Sequence, residues 1–343
     1  MSVSTVDGQA VADYFGLAGQ SAAWVTELDA LPVPSPAAIA DPATLADQFT
    51  RLGGDRADLA ELQALRPRLE VPAVRWLLDR CAWQLIGDMG SLVTNPQSRE
   101  WPPWPLLASA DDPLNRYFYV FVFLAGLPAV REFHQSRGIS DEISWASLAD
   151  LGQQMSVYRR IYGTGGLHTQ VWLTIPFRGL LYRLGRLQYN LSRIDFDQAT
   201  IDRLGLPFRP GDQIVGVHIP EQGRLDPASC DASLRLATEF FDAHFPEWGH
   251  RFATCHSWLL DPRLADYLPA ESNIVQFQRR FAIVEEGTDQ DAAVYEFVFR
   301  RINPTLDELP QNSALERAVV AHLRSGGHWR TPSGWLELPG QSS

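Results

Sequence analysis

The spacing of apolar residues changes period once along this 343-residue chain, and that change limits the fold more than any other feature. Up to about Trp145 apolar positions recur at three- and four-residue steps, the period of an amphipathic helix. Beyond Tyr162 they alternate, the period of a half-buried strand. Such a chain is expected to be α/β in the α+β sense. A helical N-terminal domain over residues 1–143 is followed by a mixed sheet flanked by helices over 144–303 and a C-terminal helix and tail over 304–343.

The clearest helix runs from Val71 to Gly87, where Val74, Leu77, Leu78, Cys81 and Leu85 form one stripe behind Pro72 in the first turn. The apolar run from Tyr117 to Val130 is shorter than the about 18 to 20 residues that span a bilayer, and Gly126 and Pro128 interrupt it. It reads as a buried helix. Proline-rich loops are expected from Leu31 to Pro42 and from Asn95 to Pro113. In the second loop, Trp101-Pro-Pro-Trp-Pro105 either pins the segment to its own domain or offers a surface to an extended ligand. A further helix is expected from Ser144 to Tyr162.

In Leu187–Ser192, Leu187, Tyr189 and Leu191 share one face of a strand and Gln188, Asn190 and Ser192 the other. Ile214–Pro220 is more continuously apolar, as a covered central strand would be. Asp226 and Pro227 then open a helix whose core stripe is Cys230, Leu234, Ala237 and Phe241. Phe252–Leu260 reads as the next strand, parallel to the first across the helical crossover, and Asp261-Pro262 leads into a short helix over Leu264–Leu268. Strands over Ile274–Val284 and Ala293–Arg301, turning through residues 285–290, are expected as an antiparallel edge hairpin. A helix over Ala314–Arg324 and a polar tail complete the chain.

Composition excludes several functions. The 29 basic residues are all arginine, so Schiff-base chemistry, the P-loop and the kinase strand lysine are ruled out. A net charge of -12 argues against nucleic acid and anionic membrane partners. Cys81, Cys230 and Cys255 are widely spaced, which suggests neither a disulfide framework nor a zinc site. Residues 1–10 carry no basic residue before an apolar stretch, so a cytoplasmic location is expected, and the wide cysteine spacing leads to the expectation of no metal. G-x-S-x-G, H-E-x-x-H and G-x-G-x-x-G are absent, and Gly163-Thr-Gly-Gly166 lacks the spacing of the last. Cys255 beside His256 suggests a thiol hydrolase, yet neighbouring strand residues face apart, so this histidine cannot activate that thiol locally.

The stretches Phe177-Arg-Gly179, Tyr182–Gln188, Val217-His-Ile-Pro220, Cys230-Asp-Ala-Ser233, His256–Pro262, Ser272-Asn-Ile274 and Phe277-Gln278 resemble a bacterial two-domain acyltransferase family of the GNAT superfamily. Its members pair a helical N-terminal half with a GNAT-like C-terminal half. The resemblance is specific from about Ser144 to Arg301. It implies acyl transfer from an acyl-coenzyme A, or from an acyl carrier protein, to a small-molecule amine by direct attack on the thioester.

The resemblance also implies that two parallel strands, here Ile214–Ile219 and Phe252–Leu260, part to admit the pantetheine arm. An attacking amine must lose a proton and a departing thiolate gains from a donor. His218 or Glu221 is then a candidate base, His256 a second catalytic candidate, and Tyr267 the candidate thiolate donor. Gln188, Asn190 and Ser257 are candidate substrate contacts, and Ile219, Arg224 and Ser229 candidate donor contacts. The superfamily's glycine-rich phosphate turn is replaced by Glu221–Ser229, in which Gly223 remains and Asp226 places negative charge near the helix start. A non-catalytic binding protein on the same scaffold is the alternative.

Overall fold

The computed structural model describes residues 6–92, 104–107 and 110–340. The chain divides into two compact units, Met1–Leu180 and Leu181–Ser343. The division falls where β structure begins, and the helices after residue 144 that the sequence grouped with the sheet lie in the first unit.

The first unit holds α1 (Gly8–Phe15), α2 (Gln20–Asp29), α3 (Pro42–Arg51), α4 (Arg56–Leu65), α5 (Pro72–Gly87), α6 (Pro113–Ser136), α7 (Asp141–Leu148), α8 (Asp150–Tyr162) and α9 (Gln170–Phe177). Helix α6 is capped by Asp112, which accepts from the Leu114 amide, with Pro113 in the first turn. Tyr117 to Leu127 are buried all round, as in the central helix of a domain. By length and composition alone α6 could cross a membrane, but 72% of its apolar window is buried inside the protein. The expected 144–162 helix is two, broken at Ala149.

The part of the Trp-Pro loop before Trp104 lies outside the described residues. Trp104 itself is buried, stacked on Tyr119 at 5.3 Å and donating to Gln84, so it pins the loop to the core. Gly165 of the Gly163–Gly166 turn is likewise structural. A Cβ there would meet the Tyr117 hydroxyl and Asp58. That hydroxyl donates to the buried Asp58 at 2.5 Å, and Arg159 pairs with the same carboxylate.

The second unit contains β1 (Leu181–Leu184), β2 (Leu187–Arg193), α10 (Gln198–Leu204), β3 (Gln213–His218), α11 (Pro227–His244), β4 (Phe252–His256), α12 (Leu264–Tyr267), α13 (Asn273–Gln278), β5 (Ala282–Glu285), α14 (Asp291–Phe299), α15 (Ala314–Arg324) and β6 (Ser333–Glu337). The sheet order is β1-β2-β3-β4-β6-β5, with β3 and β4 parallel and the other neighbours antiparallel. This is the expected α+β fold with a mixed sheet.

Several boundaries differ from the sequence reading. Strand β4 ends at His256, because the Ser257 hydroxyl accepts from the Leu259 amide and starts a 3-10 turn over Trp258–Leu260. The segments read as a hairpin are helices α13 and α14 around the short β5. The edge hairpin is β1–β2 instead. Residues within the expected polar tail form β6, inserted between β4 and β5.

Candidate active site

Alternation along the strands sorts their side chains onto two faces. Leu187, Tyr189 and Leu191 of β2 face α11, where Ser233 accepts from the Leu187 amide and hydrogen-bonds the Tyr189 hydroxyl at 3.1 Å. Gln188, Asn190 and Ser192 take the other face, as expected. In the observed register Gln188 stands opposite His218, and Asn190 opposite Gly216. Gly216 in turn pairs with Thr254 of β4, and His256 pairs with Ser333 of β6. Gln188, Asn190, His218, Thr254, His256 and Ser333 thus share one face of the sheet.

The N-terminal ends of β3 and β4 on this face are covered by a small apolar cluster of Phe196, Phe208, Ile214, Phe252 and Trp335. Its far end is polar and less buried: His218 and Asn190 are half-buried and His256 is exposed. The β3–β4 ladder consists of Val215 opposite Ala253 and Gly216 opposite Thr254. Beyond that point each strand is paired on its outer side, Val217 and His218 with β2, Cys255 and His256 with β6. Two positions further in the same register, beyond the last paired positions, stand His218 of β3 and His256 of β4.

His218 Nε2 lies 2.8 Å from Asn190 Oδ1, and burial lowers its pKa to about 4, so the ring is neutral at physiological pH and can accept a proton. His256 Nδ1 lies 2.9 Å from the Ser333 hydroxyl. Ser333 was not among the sequence candidates, because it belongs to the strand hidden in the tail. Glu221, in the loop after β3, is bound by Arg300 at 2.6 Å, so its carboxylate is already engaged. Ile219 is half-buried in the first position beyond β3.

The head of α11 forms a cleft of about 470 Å³ lined by Arg186, Gly223, Arg224, Asp226, Ser229 and Leu236 among others. Asp226 caps the helix, accepting from the Ser229 amide at 3.0 Å and the Ser229 hydroxyl at 2.9 Å, and these bonds lower its pKa. The guanidinium of Arg186, another residue that sequence reasoning missed, donates to the Arg224 and Gly223 carbonyls at 2.9 Å each. It therefore shapes the loop while bringing a positive charge to the cleft.

Two candidates occupy other surroundings. Ser257 caps the 3-10 turn. The Tyr267 hydroxyl lies 3.2 Å from His322 Nδ1 on α15, and its ring packs edge-on against His322 and Trp329. Cys255 is buried on the face opposite His256, and burial pushes its thiol up to about 12, far from a reactive thiolate. Among the described residues no group of three or more His, Cys, Asp or Glu side chains could hold a metal ion.

A mixed sheet whose parallel pair is joined by a short ladder beside polar side chains fits a GNAT-type acyltransferase fold. Residues 43–179 match the N-acyltransferase N-terminal domain and residues 181–336 the GNAT-like C-terminal domain. An acyltransferase solved with decanoyl-CoA is 40% identical, with 97% of this chain and 100% of that chain covered and a TM-score of 0.87. Another, solved with decanoyl-CoA and teicoplanin, has the same identity and coverage and a TM-score of 0.86. An acyltransferase mutant solved with octanoyl-CoA, also 40% identical over 97% of this chain and 100% of that chain, gives a TM-score of 0.87. Among curated proteins no sequence matches the chain. The chain belongs to this two-domain N-acyltransferase family and is an acyltransferase.

Proposed function

We propose that the protein transfers a medium-length acyl group from acyl-coenzyme A to the amine of a small molecule, with the thioester arm lying between the parted ends of β3 and β4. The observation that carries this reading is the short β3–β4 ladder, with His218 and His256 at its open end. The relatives crystallised with octanoyl-CoA, decanoyl-CoA and teicoplanin support both the donor and the class of acceptor.

In the proposed reaction the amine nitrogen attacks the thioester carbonyl, the C–N bond forms and the C–S bond breaks. His218 takes the proton that the amine loses, and the proton leaves with the thiolate as free thiol. His218 suits this role better than Glu221, whose carboxylate is occupied by Arg300. His256, on β4, is placed to contact the reacting group. The phosphates of coenzyme A would meet Arg186, Arg224 and Ser229 at the head of α11, with Ile219 beside the arm.

His218→Ala should lower kcat at least about tenfold with decanoyl-CoA and an amine acceptor, the usual cost of losing a general base. Its melting temperature should stay near that of the parent. Full turnover in this variant removes His218 from the mechanism. Calorimetry with decanoyl-CoA tests the donor: heat of binding supports it, whereas no heat at millimolar ligand favours a carrier-protein donor or a non-catalytic scaffold.

A further inference from the structure

The imidazole of His218 meets a neighbour on the adjacent strand. Asn190 of β2 is diagonal to His218, one pleat along from Gln188, and its Oδ1 lies 2.8 Å from His218 Nε2. The amide has a defined orientation, because its Nδ2 donates to the Leu191 carbonyl at 3.0 Å. Only the oxygen is left to face the ring, and an amide oxygen can only accept. His218 Nε2 must therefore carry a proton, which places the basic lone pair on Nδ1.

Gly216 makes this arrangement possible. It stands directly opposite Asn190, and a Cβ there would lie 2.1 Å from Asn190 Oδ1 and 3.4 Å from His218 Nε2. Real Cβ atoms do not approach so closely, so any other residue at 216 would displace the amide. A glycine inside a strand usually marks a close approach of this kind.

We propose that Asn190 is the positioning residue of the transfer reaction: it fixes His218 in the tautomer with Nε2 protonated and so presents Nδ1 as the proton acceptor, in a space that Gly216 keeps open. Second partners that set a histidine's tautomer are a general requirement where the ring works as a base. This inference rests on His218 being the base, and its test separates the two.

The decisive measurement is the tautomer of His218 in the unmodified protein. It is read by long-range proton–nitrogen correlation on histidine-labelled sample, with the His218→Ala spectrum assigning the resonances. The expected result is a protonated Nε2. A protonated Nδ1 overturns the inference even if His218→Ala is inactive. In Asn190→Ala the His218 nitrogen shifts should move toward a mixture of tautomers, and kcat should fall at least about tenfold with KM for decanoyl-CoA unchanged. Asn190→Asp, which keeps an acceptor in place, should restore most of the activity. Unchanged shifts and unchanged kcat in Asn190→Ala overturn the inference. Full activity in His218→Ala with Nε2 protonated in the parent would instead sink the base assignment and leave the tautomer standing.

Discussion

Asp226 puts a carboxylate at the head of α11, where the proposed donor would bring its phosphates. Two effects oppose each other there. The side chain caps the helix through Ser229, yet its ionised form repels an approaching anion. Asparagine separates them, since it caps nearly as well without the charge. Asp226→Asn should leave the melting temperature near that of the parent and tighten decanoyl-CoA binding severalfold by calorimetry. Arg186→Ala should weaken binding, through loss of the charge and of the two carbonyl contacts that shape the loop. Affinities that do not respond to either change would place the phosphates elsewhere. The cap itself was legible in the sequence as Asp226-Pro227; Arg186 was not, because its importance comes from a turn between two strands that meets the loop only in the folded sheet.

At the scale of elements the β3–β4 ladder is short, and the proposed thioester arm would lie beyond its last pair. Backbone groups of Val217–Ile219 and Cys255–His256 on the side between β3 and β4 have no ladder there to protect them. In hydrogen exchange these amides should exchange faster in the free protein than those of Val215 and Ala253, and decanoyl-CoA should slow them. Protection confined to other strands would argue against the thioester arm lying here. Both central strands were visible in the sequence because each carries a consistent apolar pattern bounded by Pro220 or by the Asp261-Pro262 start. The regions after them misled for identifiable reasons. Ala293–Arg301 is rich in Val, Tyr and Phe, which favour strands. It folds as helix because Val294 and Val298 on one side, with Tyr295 and Phe299, pack into a cluster with Val319, Leu323 and Trp329. Ser272 caps α13, its hydroxyl accepting from the Val275 amide, and serine is a residue type that favours this position. Strand β6 carries too few apolar residues to stand out, and gains its pairing from strands on both sides. The consequence for the site is direct, since His256 meets its partner Ser333 on that strand.

Among the described residues burial favours the neutral form of two histidines, one in each unit: His134 on α6 and His218 on β3. His134 is fully buried, with Nδ1 2.6 Å from the Ser144 hydroxyl on α7, and its pKa falls to about 4 from burial first and from Arg131 second. Above pH 6.5 both folded and unfolded states carry the neutral ring and the first unit's stability is unaffected. Between pH 6.5 and about 4 the unfolded chain takes up a proton that the folded ring refuses, so stability declines as pH falls and levels off below about 4. The full shift corresponds to an upper bound of about 3 kcal/mol for this one side chain. Thermal unfolding followed by calorimetry should show stability falling over this window, and His134→Gln should flatten that pH dependence. An identical acid decline in parent and variant would mean that other groups set the acid response. The same window bears on function: His218 stays neutral down to about pH 4, so loss of turnover between pH 7 and 5 should follow protonation of the acceptor amine and shift with the amine chosen. A loss that stays fixed across acceptors of different basicity would point back to a group on the enzyme.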